Sequence, residues 1–191
     1  MLTLIVFLFV LTGCAAQGNG NSPAESSQDI LKGGTMTTGM SSAESTEGDF
    51  IYRLVTEKEA YHEGESVKLY AELEYIGDKK EVTIYHAASP FSFPITEHTR
   101  NYSIAYMMNQ PLLTTLLAKG EPLREEYAKG GGYGSQDNEE YIAFIKNFWE
   151  NGFPAGSYTV YGSADFYVQP NKEGKDKREY KLKAQVNFDV K

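Results

Sequence analysis

Few residues in this chain are equipped for chemistry. His62, His86 and His98 are its only imidazoles, and Cys14 is its only thiol. The histidines follow one another at intervals of 24 and 12 residues, which puts no two of them on one helix face, so a three-histidine zinc site would have to be assembled by the fold. The plainer expectation is three surface or edge histidines. No Gly-x-Ser-x-Gly elbow and no phosphate-cradling loop occurs, and a serine triad would have to recruit one of the same three rings. Met36, Met40, Met107 and Met108 offer thioethers to copper, but no His or Cys stands beside them at ligand spacing. The segment Lys129-Gly130-Gly131-Gly132-Tyr133-Gly134-Ser135-Gln136-Asp137 precedes an acidic stretch. Its glycines could turn N–H groups toward an anion, Asp137, Glu139 and Glu140 could hold calcium, or it is a flexible lead into a helix, which is the reading expected here. No catalytic, cofactor-binding or metal-ligating residue is assigned, and the chain is not expected to be an enzyme.

Cys14 has a different setting. Leu2 to Leu11 is apolar apart from Thr3, and polar residues begin at Gln17. A run of this length matches the roughly 7–15-residue core of a signal peptide and falls short of the about 20 residues needed to cross a bilayer. The junction Leu11-Thr12-Gly13-Cys14 resembles the lipobox of bacterial lipoproteins. That resemblance implies a signal peptide over 1–13 and diacylglyceration of the Cys14 thiol, after which Cys14 becomes the new N-terminus; whether an N-acyl chain is added stays open. Each buried methylene of such a lipid contributes about 0.8 kcal/mol, so two chains hold far more firmly than one. The alternatives are a secreted protein with a coincidental cysteine, or a buried thiol. Signal peptides open on Lys or Arg, and none precedes Lys32; the expectation is that a few basic residues lie upstream of Met1. Ala15 is not a retention signal of the kind known for some lipoproteins.

The linker is expected over 14–48, dominated after Cys14 by Gly, Ser, Thr, Ala, Asn and Gln. Such a composition buries too little apolar surface to offset its ordering entropy. As a flexible coil it would reach roughly 30–35 Å. A net charge of −8 and a pI near 5.0 exclude the phosphate-neutralising surface of a nucleic-acid binder and disfavour a broad electrostatic grip on anionic lipid.

From residue 49 the pattern changes to alternation. Phe50, Tyr52 and Leu54 share one strand face, and Val67, Leu69, Ala71, Leu73 and Tyr75 another. Glu81–Tyr85, the alternating Tyr102, Ile104, Tyr106 and Met108, Leu112–Leu117 and Pro122–Tyr127 read as further strands. The clearest are the last two, with inward sets Tyr158, Val160, Gly162, Ala164, Phe166, Val168 and Tyr180, Leu182, Ala184, Val186, Phe188, Val190, whose register a one-residue slip would destroy. The mixed charges from Asn171 to Arg178 read as a solvated hairpin loop that could touch wall polymers or lipid headgroups. One helix is expected over about 138–150, with Asp137 as cap and Glu140 completing a capping box. Its apolar stripe is Tyr141, Phe144, Ile145, Phe148 and Trp149, with the tryptophan in the core. Short strands at these spacings predict an antiparallel β-sandwich over 49–191, with the helix across one end or edge.

Tyr61-x-x-Gly64-Glu65-x-Val67-x-Leu69 and Phe153-Pro154-Ala155-Gly156-Ser157-Tyr158-Thr159-Val160 resemble opening and closing strands of bacterial immunoglobulin-like domains. The stretch from about 50 to 190 is similar to small bacillus lipoproteins with Gly-Gly-Tyr before an acidic helix and Pro-x-Gly-x-Tyr after it, and distantly to the domain of an intracellular bacillus proteinase inhibitor. No functional residue is carried over from either. The resemblance, to lipoproteins of unassigned activity, implies a mainly β, immunoglobulin-like sandwich on the extracytoplasmic face of the cell membrane; with no recognisable acid, base and nucleophile set in the sequence, the expectation is a non-catalytic binding or assembly module toward an envelope protein or wall polymer. The alternative is an envelope enzyme or protease inhibitor.

Overall fold

The computed structural model describes residues 39–169 and 176–191. The signal peptide expected over 1–13, with Leu11, Thr12 and Gly13, Cys14 itself, and most of the expected linker lie outside the described residues, as does part of the loop before Arg178.

Twelve strands and one helix follow in order: β1 (Ser41–Glu47), β2 (Phe50–Thr56), β3 (Ala60–Tyr61), β4 (Leu69–Tyr75), β5 (Glu81–His86), β6 (Phe91–Ser92), β7 (Ile95–Glu97), β8 (Tyr102–Ile104), β9 (Leu113–Ala118), β10 (Leu123–Glu126), α1 (Glu139–Asn151), β11 (Gly156–Val168) and β12 (Arg178–Val190). The first sheet runs β1-β2-β4-β10; the second runs β3-β12-β11-β5-β9, with β6 and β7 also on β11 and β8 outside β7. The chain is therefore a mainly β, two-sheet sandwich with one inserted helix.

The first strands divide between the two sheets. After β2 pairs with β4, β3 crosses to the other sheet and runs parallel to β12, Ala60 opposite Asp189 and Tyr61 opposite Val190. At the same end of the sheet Tyr158 donates its hydroxyl to Pro154 O, 2.5 Å away, the back-bond of a tyrosine corner at the start of a central strand.

Alternation decides the layers. Phe50, Tyr52 and Leu54 of β2 and Leu69, Ala71, Leu73 and Tyr75 of β4 face Tyr158, Val160, Ala164, Phe166, Leu182, Val186 and Phe188 across the core. Phe50 meets Phe166 and Tyr180 edge-on, both with ring centroids at 4.8 Å, a favoured geometry for aromatic quadrupoles. The β11–β12 ladder runs unbroken from Gly156↔Val190 to Val168↔Arg178, in the register that the inward sets require.

The structure corrects the sequence reading at several places. The linker expected to extend to Gly48 stops earlier, because Ser41–Glu47 is β1, paired along β2. Its polar composition suits an edge: only Ala43 packs on the core, and the row Glu44, Arg53, Glu72, Arg124 alternates in sign across all four strands of the first sheet. The Gly48-Asp49 hairpin that closes it places Gly48 at φ 57°, a value two-residue hairpins reserve for such residues. The helix cap is Asn138, whose Oδ1 accepts the Tyr141 N–H at 2.7 Å; Asp137 instead accepts the Gly134 N–H. Of the apolar stripe, Phe144, Ile145 and Phe148 are buried, whereas Trp149 stays 40% exposed. The alternation through Met108 ends as a strand at Ile104, since Ala105 O is taken by Gly131 N–H at 2.7 Å and the chain leaves the sheet.

Candidate functional site

β5, β6 and β7 together form one interrupted strand along β11. Between Tyr85↔Tyr167 and Phe91↔Ala164 this strand advances six residues while β11 advances three, so three residues are looped out of the ladder. Pro90 and Pro94 explain why the pairing is broken. Each gives β11 a carbonyl, accepting from Asp165 and Tyr161 respectively, but neither has an N–H to return. Such bulges re-aim side chains, and this one is pinned on three sides. Ser89 Oγ accepts the Phe91 N–H at 2.9 Å and donates to Glu125 Oε2 at 2.8 Å. Ala88 N–H donates to Asn109 O. His86 Nδ1 lies 2.8 Å from Ala87 O, which can only accept, so that nitrogen carries a proton; Nε2 lies 2.8 Å from Thr115 Oγ1.

The bulge forms one wall of an open groove of about 790 Å³, with the Tyr106–Leu112 connection opposite and the outer face of β11 and β12 as floor. Its centre is aromatic. Tyr85 and Tyr167 stack with centroids 4.9 Å apart and planes 9° from parallel, and Lys177 Nζ lies 4.2 Å from the Tyr167 centroid. Lys181 pairs with Asp165 at 2.9 Å and Lys177 with Glu179 at 2.7 Å, so the floor pairs its charges internally. Met107, 76% exposed, and Leu112 stand on the far rim. The groove thus offers aromatic and thioether contact with hydrogen-bonding edges and little net charge; the Ser89 hydroxyl donates its hydrogen bond to Glu125.

The other sequence candidates are placed apart. His62 lies in the turn after β3, where its backbone N–H donates to Glu65 Oε2. His98 Nε2 lies 2.7 Å from Thr159 Oγ1, which itself donates to Asn187 Oδ1, so this nitrogen is the donor. Among the described residues no three or more His, Cys, Asp or Glu side chains converge as metal ligands. Met107 and Met108 line the groove, and Met36 lies outside the described residues.

The glycine segment is a packed strap. Gly130 N–H donates to Tyr127 Oη and Gly131 N–H to Ala105 O, while Gly130 O accepts from Trp149 Nε1 and Gly132 O from Tyr141 Oη. A Cβ at Gly131 would lie 3.1 Å from Ile104 and 3.3 Å from Ile145 at φ 87°, so glycine is required there for close approach of strand and helix. The Gly130, Gly131 and Gly134 N–H groups are thus engaged within the fold.

Two features escaped the sequence reading. Tyr85 and Tyr167 stood on outward strand positions, and only the strand pairing brings them face to face. Glu97 is fully buried, its carboxylate accepting the Thr99 and Arg100 N–H groups at 2.7 and 2.8 Å, with Arg100 NH1 at 3.5 Å. Among the described residues no helix is long and apolar enough to cross a membrane. Comparison with protein families, with curated proteins and with solved structures returns no match.

Proposed function

We propose that the protein is a lipoprotein held at the extracytoplasmic face of the cell membrane by a diacylglyceryl group on Cys14, where its β-sandwich serves as a non-catalytic binding or assembly module. The observation that carries the anchor is the place of the only cysteine: directly after Leu11-Thr12-Gly13, where an apolar run ends and a polar linker begins. The linker then delivers the chain to β1, at the edge of the first sheet. Support for binding over catalysis is the groove beside the β5–β6 bulge, whose stacked tyrosines and internally paired charges suit an envelope protein or a wall polymer.

Crosslinking on intact cells tests both parts. The natural chain, Cys14→Ala and Tyr167→Ala are compared, and the captured material is identified. One partner recovered with the natural chain and lost with each variant supports the reading. Capture indifferent to both substitutions removes it.

A further inference from the structure

Among the described residues, the edges at β1, β3, β8 and β10 are defended against pairing with another chain. β1 carries Glu44 and Glu47, β10 carries Arg124, Glu125 and Glu126, and β3 has two residues. β8 is covered: Tyr141 of α1 donates to Ser103 O, and the glycine strap closes on Ala105 O. Charge, brevity and cover are the usual means of blunting an edge. β9 has none of them. It reads Leu-Thr-Thr-Leu-Leu-Ala without a charge, ends the second sheet, and exposes Leu113 by 44%, Leu116 by 58% and the preceding Leu112 by 68%.

The free hydrogen-bonding groups of this edge can be named. Lys119 N–H donates to Lys80 O in the same register that pairs Glu81 with Ala118. The alternation of an antiparallel ladder therefore turns Leu113, Thr115 and Leu117 toward β5, and Thr114, Leu116 and Ala118 outward. Ala118 O is already taken by Glu121 N–H. Thr114 and Leu116 remain, with both backbone groups turned to the open edge. Next to them a groove of about 470 Å³ opens between β9 and β10, lined by Leu113, Leu123 and Glu125 among others.

We infer that β9 pairs antiparallel with β9 of a second copy of this chain, about a two-fold axis at Thr115, joining the second sheets of two molecules. Charge selects the occupant. Two copies of a chain with net charge −8 meeting at β1 or β10 would oppose carboxylates, whereas at β9 they oppose only threonine and leucine. The axis at Thr115 sets Thr114 of each copy opposite Leu116 of the other as hydrogen-bonded pairs, satisfying the free groups on both sides. Leu113 then faces Leu117 of the second copy on the groove side. The inference concerns the folded domain and holds with or without the lipid.

The test exploits that crossed register. Thr114→Cys and Leu116→Cys chains are produced singly and together in the same cells, and treated with a membrane-permeant thiol oxidant. Hydrogen-bonded antiparallel partners lie about 5.5 Å apart at Cα, within the disulfide range. The expected result is a disulfide-linked dimer in the co-producing cells, at several times the level seen with either chain alone; any dimer through Cys14 is common to all three. Equal levels in the three cultures overturn the inference. As a second measurement, amine crosslinking of the natural full chain is expected to give a dimer that Leu116→Lys abolishes, although the substitution adds a reactive amine. A natural chain that stays monomeric, or a dimer unaffected by Leu116→Lys, also overturns it.

Discussion

Gly162 lies in the middle of β11 directly beneath Tyr52, and the pair makes a sharp test of the core. A Cβ at Gly162 would overlap the Tyr52 hydroxyl and come within 2.8 Å of both Leu54 methyls. Gly162 is not at positive φ, so Gly162→Ala meets no backbone strain and its cost is steric. Overpacking of this kind costs about 1–3 kcal/mol, partly offset by about 0.5–1 kcal/mol from the reduced freedom of the unfolded chain. Tyr52 is fully buried and its hydroxyl has no hydrogen-bond partner among the described residues; an unsatisfied buried group of this kind costs about 1–3 kcal/mol. Tyr52→Phe is therefore expected to be neutral or stabilising by up to about 1 kcal/mol, with the small void it leaves holding the gain down. In that background Gly162→Ala loses its worst overlap but keeps those with Leu54. The two changes should then couple, with the alanine costing at least about 1 kcal/mol less than it does beside tyrosine. Equilibrium denaturation of the four proteins, followed by circular dichroism, measures this directly. Additive effects, or a Tyr52→Phe loss above about 1 kcal/mol, would refute the packing argument.

Three further outcomes are expected. Glu97→Ala strips the acceptor from the Thr99 and Arg100 N–H groups inside the fold and should cost about 3 kcal/mol in denaturation, whereas Glu97→Gln, which keeps one acceptor oxygen, should cost clearly less. Gly131→Ala forces a side chain into positive φ against Ile104 and Ile145; because Trp149 is the sole tryptophan and bonds Gly130 O, its fluorescence should shift toward that of a more exposed indole. Burial raises the Tyr127 phenol from 10.0 to about 12, and Tyr52 and Tyr158 are raised further by the same cause. A raised folded pKa means that the folded state holds these protons more tightly, so stability should be flat with pH up to about 10 and fall as pH rises above it. Tyrosinate absorbance against pH should then rise in a late cooperative step together with unfolding.

The sequence revealed strands wherever both faces were patterned. β2, β4, β11 and β12 carry long alternations whose register is enforced by burial, and each forms where expected. β6 and β7 were hidden because Phe91-Ser92-Phe93-Pro94 reads as a proline-broken loop, while β11 needs only carbonyls from Pro90 and Pro94. β1 reads as linker in the sequence because an edge strand held by backbone bonds and a charge row needs almost no apolar residues. The strands expected over Leu112–Leu117 and Pro122–Tyr127 form within a residue or so of those bounds, but the pattern does not show that the turn at Gly120 carries the chain from one sheet to the other. The groove was legible only in pieces: its tyrosines, bulge and methionines are distant in the chain and meet through pairing with β11. Trp149 fell on the apolar stripe, yet its indole N–H needed a partner, and Gly130 O at the rim supplies one.

The account rests first on Cys14. Metabolic labelling of producing cells with a clickable palmitate analogue, comparing the natural chain with Cys14→Ala and separating membranes from medium, tests it most directly. The account predicts label and membrane association for the natural chain and the loss of both in Cys14→Ala. A natural chain that is unlabelled and free in the medium, or a Cys14→Ala chain that keeps its label, contradicts it.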